Sequence, residues 1–206
     1  MAEIEEDAQP EQKPRSLLAT RVTPGVLLLV LAGVAFFRLW IVETAYVEGS
    51  SMADTLEQGD HVLVLKFLDI DRFNIVVFQD PDGHGVSVKR VVGLPGDTLS
   101  MVPQLKLVQG EEIPIGSRLY LNRQQVEEPY AASLIPSSLP PTRIPKGSYF
   151  VLGDNRDDSI DSRRYGPLKA DRIVGVGVAV VYPFGRARLL ESPDVTIGVG
   201  KSGPPH

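Results

Sequence analysis

The chain has 206 residues, 43% of them hydrophobic and 23% charged, enough for one domain of ordinary size with an appendage. A net charge of −5 and the lack of any lysine/arginine block exclude a phosphate-tracking, nucleic-acid-binding surface. Without cysteine there are no disulfides, thiolate nucleophiles or zinc–thiolate sites; the three histidines, His61, His84 and His206, lack the paired spacing of a metal-binding helix, so neither metal nor cofactor is expected.

Residues 1–24 open acidic (Glu3, Glu5, Glu6, Asp7, Glu11) and then carry Lys13, Arg15 and Arg21, which reads as a short disordered tail. Residues 25–42, "GVLLLVLAGVAFFRLWIV", hold one charge in 18 residues. As a helix the run is about 27 Å long at roughly 1.5 Å per residue, close to the hydrocarbon thickness of a bilayer. It is expected to be a single transmembrane helix, with Arg38 snorkelling outward and Phe36, Phe37 and Trp40 in the interface belt. The cations before it place the N-terminus in the cytoplasm and everything after Val42 on the trans side, be that periplasm, cell exterior or thylakoid lumen. A cleaved secretory signal has a similar outline, but Glu43 in "VETAY" spoils a small-residue cleavage site, which favours a retained anchor.

"VEGSSMADTL", Val47 to Leu56, follows the span and offers two adjacent serines, Ser50 and Ser51, as nucleophiles. Beyond it the apolar pattern turns from helical to alternating: His61 to Leu68, Asn74 to Phe78, Val86 to Val92, Arg118 to Asn122, Ser148 to Leu152 and Arg172 to Tyr182. These runs are short, β-branched and bounded by "DPDG", "LPGD", "PKG" and "GDN" turn signals, so residues 43–190 are expected to form a mainly β domain. Residues 131–145, "AASLIPSSLPPTRIP", read as a long surface loop or flap. Residues 191–206 read as a flexible tail, and "GVGKS" within them is no phosphate loop because Val195 stands where the earlier glycine is required.

A serine needs a base to take its proton. His84 lies in the turn-rich "DPDGHG", and no "GxSxG" elbow surrounds either serine, so support for a histidine base is weak. A lysine can serve if neutral. Lowering its pKa from about 10.4 to about 7 or 8 costs roughly 4 kcal/mol, which only a desolvated position sustains. Of the seven lysines, Lys89 is set within the valine-rich "VSVKRVVGLPGD", with Lys66 in "VLVLKFL" as competitor. A lone strand lysine is most often a solvated edge residue. "GDNRDDSIDSRRYG", Gly153 to Gly166, would by itself be a solvated turn, but it adds a hydroxyl-rich segment able to orient a base.

Taken together, these three stretches, in this order behind a membrane span, resemble the bacterial-type type I signal peptidase (leader peptidase) family of membrane-anchored Ser/Lys proteases. The resemblance runs from the anchor to about Tyr182. It implies that Ser51, the serine before methionine, is the nucleophile, that Lys89 of "KRVVGLPGD" is the base, and that Ser159 hydrogen-bonds the lysine amine. Asp161 and Arg163 are implied to form a supporting ion pair, and the catalytic domain to be a mostly antiparallel β fold. The family often has proline where this chain has Asp54, and "RGDIVVF" where it has "RFNIVVF", Arg72 to Phe78. Some members carry an oxyanion-donating serine two residues before the nucleophile; here that position is Gly49, which leaves the Ser51 backbone N–H to carry the oxyanion hole. The implied substrates are signal-peptide-bearing preproteins cut after small-residue "AxA" sites, with the lipid bilayer and the protein translocase as further partners. The alternative is a catalytically inactive membrane-anchored β module that binds preproteins or translocase components.

Overall fold

The computed structural model describes residues 23–198 apart from Asp54, His84 and residues 132–134, with the side chains of residues 37–40 also outside the described set. His84 and His206, two of the three histidines, therefore lie outside the described residues. The chain divides into two units, Met1–Phe36 and Phe37–His206.

The helix α1 spans Pro24–Trp40. Thr23 starts it, accepting the Val26 N–H on Oγ1 at 3.4 Å and the Leu27 N–H on its carbonyl at 3.1 Å. Pro24 fits the first helical position, where a missing N–H costs nothing. The apolar side chains Val26 to Leu31 are exposed. Among the described residues no helix is long and apolar enough to cross a membrane. The helix also stops short of Val42, where the span was expected to end. Val42 instead opens the strand β1 (Val42–Tyr46) and pairs with Leu65, while the Ile41 carbonyl accepts the Lys66 N–H at 3.1 Å. Strand pairing has therefore claimed this segment, with Val42 and Ala45 buried and Glu43 and Thr44 exposed.

The second unit is built on two antiparallel sheets, as the alternating runs led one to expect. The larger has eight strands in the order β1, β2 (His61–Leu65), β11 (Ile173–Tyr182), β3 (Ile75–Gln79), β4 (Val86–Gly93), β9 (Ser148–Leu152) and β10 (Leu168–Lys169), with β12 (Arg188–Leu189) also on β11. The smaller has five: β13 (Thr196–Ile197), β7 (Gln124–Glu127), β6 (Glu111–Leu121), β5 (Thr98–Val108) and β8 (Leu139–Arg143). One buried cluster joins the sheets: Val92, Phe150 and Leu152 from the first pack with Leu99, Leu119 and Leu121 from the second. A second cluster gathers Met52 and Leu56 onto Val62, Val64, Ile75 and Val77.

The differences from the sequence reading have local causes. β5 holds Pro103, which lacks a ladder donor, and the register shifts there, so no clean alternation marks the strand. β8, inside the stretch expected to be a loop, reads "LPPTR" and survives as an edge strand paired only with β5. Residues 191–198 are not a loose tail: Val195 packs on the shared core, Thr196 and Ile197 pair with Glu127 and Val126, and the Gly198 N–H donates to the Gln125 carbonyl at 2.9 Å. Phe73, the middle residue of "RFN", has a φ of +70°, a region that favours the glycine of the family's "RGD". Its ring is buried in the shared core and lies 6.2 Å from that of Tyr130, which offsets the backbone cost.

Candidate active site

The segment after β1 turns back on itself because its ends are paired and its apolar residues are buried. The Val47 N–H donates to the Asp60 carbonyl at 2.9 Å, and the Gly59 N–H to the Val47 carbonyl at 3.0 Å. Met52 and Leu56 sink into the core at 1% and 0% exposure, joined by a Leu56 N–H to Met52 carbonyl bond of 2.7 Å. Gly49 takes a φ of +79°, where any side chain strains the backbone. The result is a tight turn that holds Ser51 half-buried and leaves Ser50 exposed. Asn155 clamps both: its N–H donates to the Ser51 carbonyl at 3.1 Å and its Nδ2 to the Ser50 carbonyl at 3.2 Å. The Ser50 hydroxyl donates to Asp158 Oδ2.

Lys89 sits on β4 opposite Val76 and is only 5% exposed. Its Nζ donates to Ser51 Oγ at 2.7 Å and to the Val88 carbonyl at 3.0 Å. Burial pushes its pKa below the ordinary lysine value, against the opposing pull of Asp161, Asp80 and Asp154. The competitor, Lys66, instead pairs with Glu43 at 2.6 Å, both partly exposed. His61 is packed edge-on between Tyr46 and Tyr182, with ring centroids 5.3 Å away on each side, a structural position.

The turn from Gly153 to Gly166 closes over this pair. Asp161, fully buried, accepts the Gly153 N–H at 3.1 Å and caps the helix α2 (Ser162–Tyr165) by accepting the Arg163 N–H at 3.1 Å. The Arg163 guanidinium meets both Asp161 oxygens at 2.8 Å and donates to the Arg156 carbonyl at 2.7 Å. Ser159 differs from what the resemblance implies. Its Oγ is buried without a hydrogen-bond partner among the described residues, while the lysine amine is committed to Ser51 and Val88. Gly153 leaves it room: a Cβ there would stand 2.2 Å from Ser159 Oγ and 2.5 Å from the Ser51 carbonyl oxygen.

Sequence reasoning missed the framework behind the pair. Arg90, next to Lys89 but on the opposite strand face, is 2% exposed. It donates from Nε and its terminal amine to Asp154 at 2.9 Å and 2.7 Å, and to the Phe73 carbonyl at 2.8 Å. Its guanidinium also stacks 4.3 Å over the Tyr130 ring. Thr55, four residues past Ser51, donates to Asp154 at 2.6 Å. Arg156 pairs with Glu128 at 2.6 Å and 2.9 Å, and the Tyr130 hydroxyl also donates to Glu128. The available signal was position alone: Arg90 and Asp154 lie inside the two stretches already singled out. Among the described residues no group of three or more His, Asp or Glu is placed to hold a metal ion.

A serine hydroxyl touching a desolvated lysine amine is the arrangement of a Ser/Lys hydrolase. The family described as "Signal peptidase, peptidase S26" matches residues 20–182, and the chain belongs to it. It is 38% identical over 148 residues to signal peptidase I V of Bacillus subtilis (strain 168), covering 63% of this chain and 80% of that one. It is 33% identical over 196 residues to a signal peptidase I of Bacillus amyloliquefaciens, covering 84% and 95%. It is also 34% identical over 169 residues to signal peptidase I T of B. subtilis (strain 168), covering 80% and 83%. The chain is thus a serine endopeptidase of this family.

Proposed function

We propose that this protein removes N-terminal signal peptides from exported preproteins after small-residue "AxA" sites, with Ser51 as nucleophile and Lys89 as general base. The observation that carries the reading is the 2.7 Å contact between Lys89 Nζ and Ser51 Oγ at a lysine only 5% exposed. In such a position burial shifts the balance from the ammonium toward the neutral amine.

The chemistry balances with these two side chains and water. Neutral Lys89 takes the Ser51 proton as Oγ attacks the scissile carbonyl carbon, and the π electrons move to oxygen. The Ser51 backbone N–H receives that oxyanion, since Gly49 brings no hydroxyl. Collapse breaks the C–N bond, and the Lys89 ammonium gives its proton to the departing amine. Lys89 then deprotonates a water that attacks the acyl ester, and finally returns the proton to Ser51. Asp161 and Arg163 act through the Gly153 turn as positioning residues.

The N-terminal segment around α1 is the membrane anchor in this reading, with the N-terminus cytoplasmic and the β domain on the trans side. Its apolar sequence, with Arg38 as the one charge and Lys13, Arg15 and Arg21 before it, supports that orientation.

The test is cleavage of an "AxA" preprotein by the full chain in detergent. Ser51→Ala and Lys89→Ala are expected to lose at least about a thousandfold in kcat/KM, while Ser50→Ala keeps activity within about tenfold. An active Lys89→Ala, or a dead Ser50→Ala that is properly folded, would mean that the roles are misassigned.

A further inference from the structure

The face of β4 that carries Lys89 extends beyond the dyad. Side chains two apart on a strand share a face, so Ser87 stands beside Lys89. Its register partner, Phe78, supports the Tyr165 ring edge-on, with centroids 6.5 Å apart. Ser87 Oγ donates to Asp80 Oδ2 at 2.8 Å. The other Asp80 oxygen accepts the Asp82 N–H at 2.8 Å, and the Asp80 backbone N–H donates to the Gly85 carbonyl at 2.8 Å. The carboxylate is therefore fixed at both oxygens, half-buried, where the β3–β4 loop meets the base-bearing strand.

Three carboxylates act on the Lys89 amine: Asp161 at the start of α2, Asp80 in the β3–β4 loop, and Asp154 after β9. Two carry their own cation, Asp161 with Arg163 at 2.8 Å and Asp154 with Arg90 at 2.7 Å, which cancels much of their field. Asp80 has no such partner among the described residues; Arg172 reaches its backbone carbonyl, at 3.3 Å, and not its carboxylate. Tyr165 is held protonated by burial and by the charges of Asp161, Asp80 and Asp82, so it adds none of its own.

We propose that Asp80, held by Ser87, is a positioning residue for the Ser51–Lys89 pair, and that its carboxylate, which carries no cation among the described residues, sets the pH at which the pair works. The inference rests on Lys89 being the base. During turnover the amine must become an ammonium in a buried site, and a fixed negative charge facing it keeps that state accessible. Removing the charge makes Lys89 a weaker base that is neutral at lower pH.

The experiment uses the full chain in detergent. It measures kcat/KM against pH on a peptide with an "AxA" site, alongside the 13C NMR titration of the Lys89 Cε. Asp80→Asn, which retains an acceptor for Ser87, is expected to move the midpoint of the rising limb about half a pH unit or more to lower pH, with the Cε titration moving alike. Asp80→Glu is expected to bring it back. Ser87→Ala, which spares the loop bonds to Asp82 and Gly85, should shift the midpoint in the same direction and carries the test if Asp80→Asn does not fold. An unmoved midpoint with Lys89→Ala inactive overturns the role of Asp80 alone, and so does a loss equal at every pH. An active Lys89→Ala overturns the reading of the base and this inference with it.

Discussion

At Gly153 a single methyl group would have nowhere to go. A Cβ there would lie 2.5 Å from the Ser51 carbonyl oxygen and 2.6 Å from the Ser159 Cβ, well inside van der Waals contact. Gly153→Ala must therefore push the Ser51 backbone away from the amine that touches its side chain. Misplacement by about 1 Å costs on the order of a hundredfold in rate, so kcat/KM should fall by about that factor while the thermal midpoint drops by only a few degrees. A loss of folding as large as the loss of rate would instead mark Gly153 as a general packing position. At this scale Lys89 was singled out by the resemblance of "KRVVGLPGD" to the family, whereas its valine-rich run alone left Lys66 as a competitor. Asp80 was not, since "DPDG" looks like any hairpin turn and its bond to Ser87 exists only in three dimensions. Nor was Ser159's orphaned hydroxyl, because sequence fixes which residues are near one another in the chain but not which way a hydroxyl is turned.

The active-site elements are held by ion pairs that bridge strand and turn. Arg90 on β4 and Asp154 after β9 are 2% and 0% exposed, and the same carboxylate receives Thr55 from the Ser51 turn. Breaking such a pair from one side strands a buried charge, which costs roughly 3–5 kcal/mol. Asp154→Asn is thus expected to destabilise the domain by about that amount in denaturant titration. Its activity should fall as well, because the Ser51 turn loses an anchor. A change below about 1 kcal/mol would show that Arg90 finds compensation in Tyr130 and the Phe73 carbonyl. The strands that position Lys89 were readable: β4 and β9 follow clean β-branched runs with turn signals at their ends. β1, β5 and β8 were hidden by an adjacent apolar helix, an internal proline and a proline-rich edge, respectively, each of which removes the alternation that a sequence reading relies on.

Across the molecule, the C-terminal segment links the two sheets: β12 lies on β11 of the larger and β13 on β7 of the smaller. That strap was invisible in a sequence segment whose pairing depends on partners some 70 residues away. The fold class and the order of the three chemical stretches were readable because each is local. The framework of Arg90, Asp154, Glu128 and Arg156 was not, because its members come from three separate parts of the chain. What the whole arrangement accomplishes is to keep one amine dry against one hydroxyl. The most direct measurement is the dependence of kcat/KM on pH, from about 6 to 11, for the full chain acting on an "AxA" peptide. A buried Lys89 base predicts a rise to a plateau through a single ionisation below the ordinary lysine value of about 10.4, absent in Lys89→Ala. An optimum in the acidic range, or a decline above neutrality while the protein stays folded, would contradict a lysine base at Ser51.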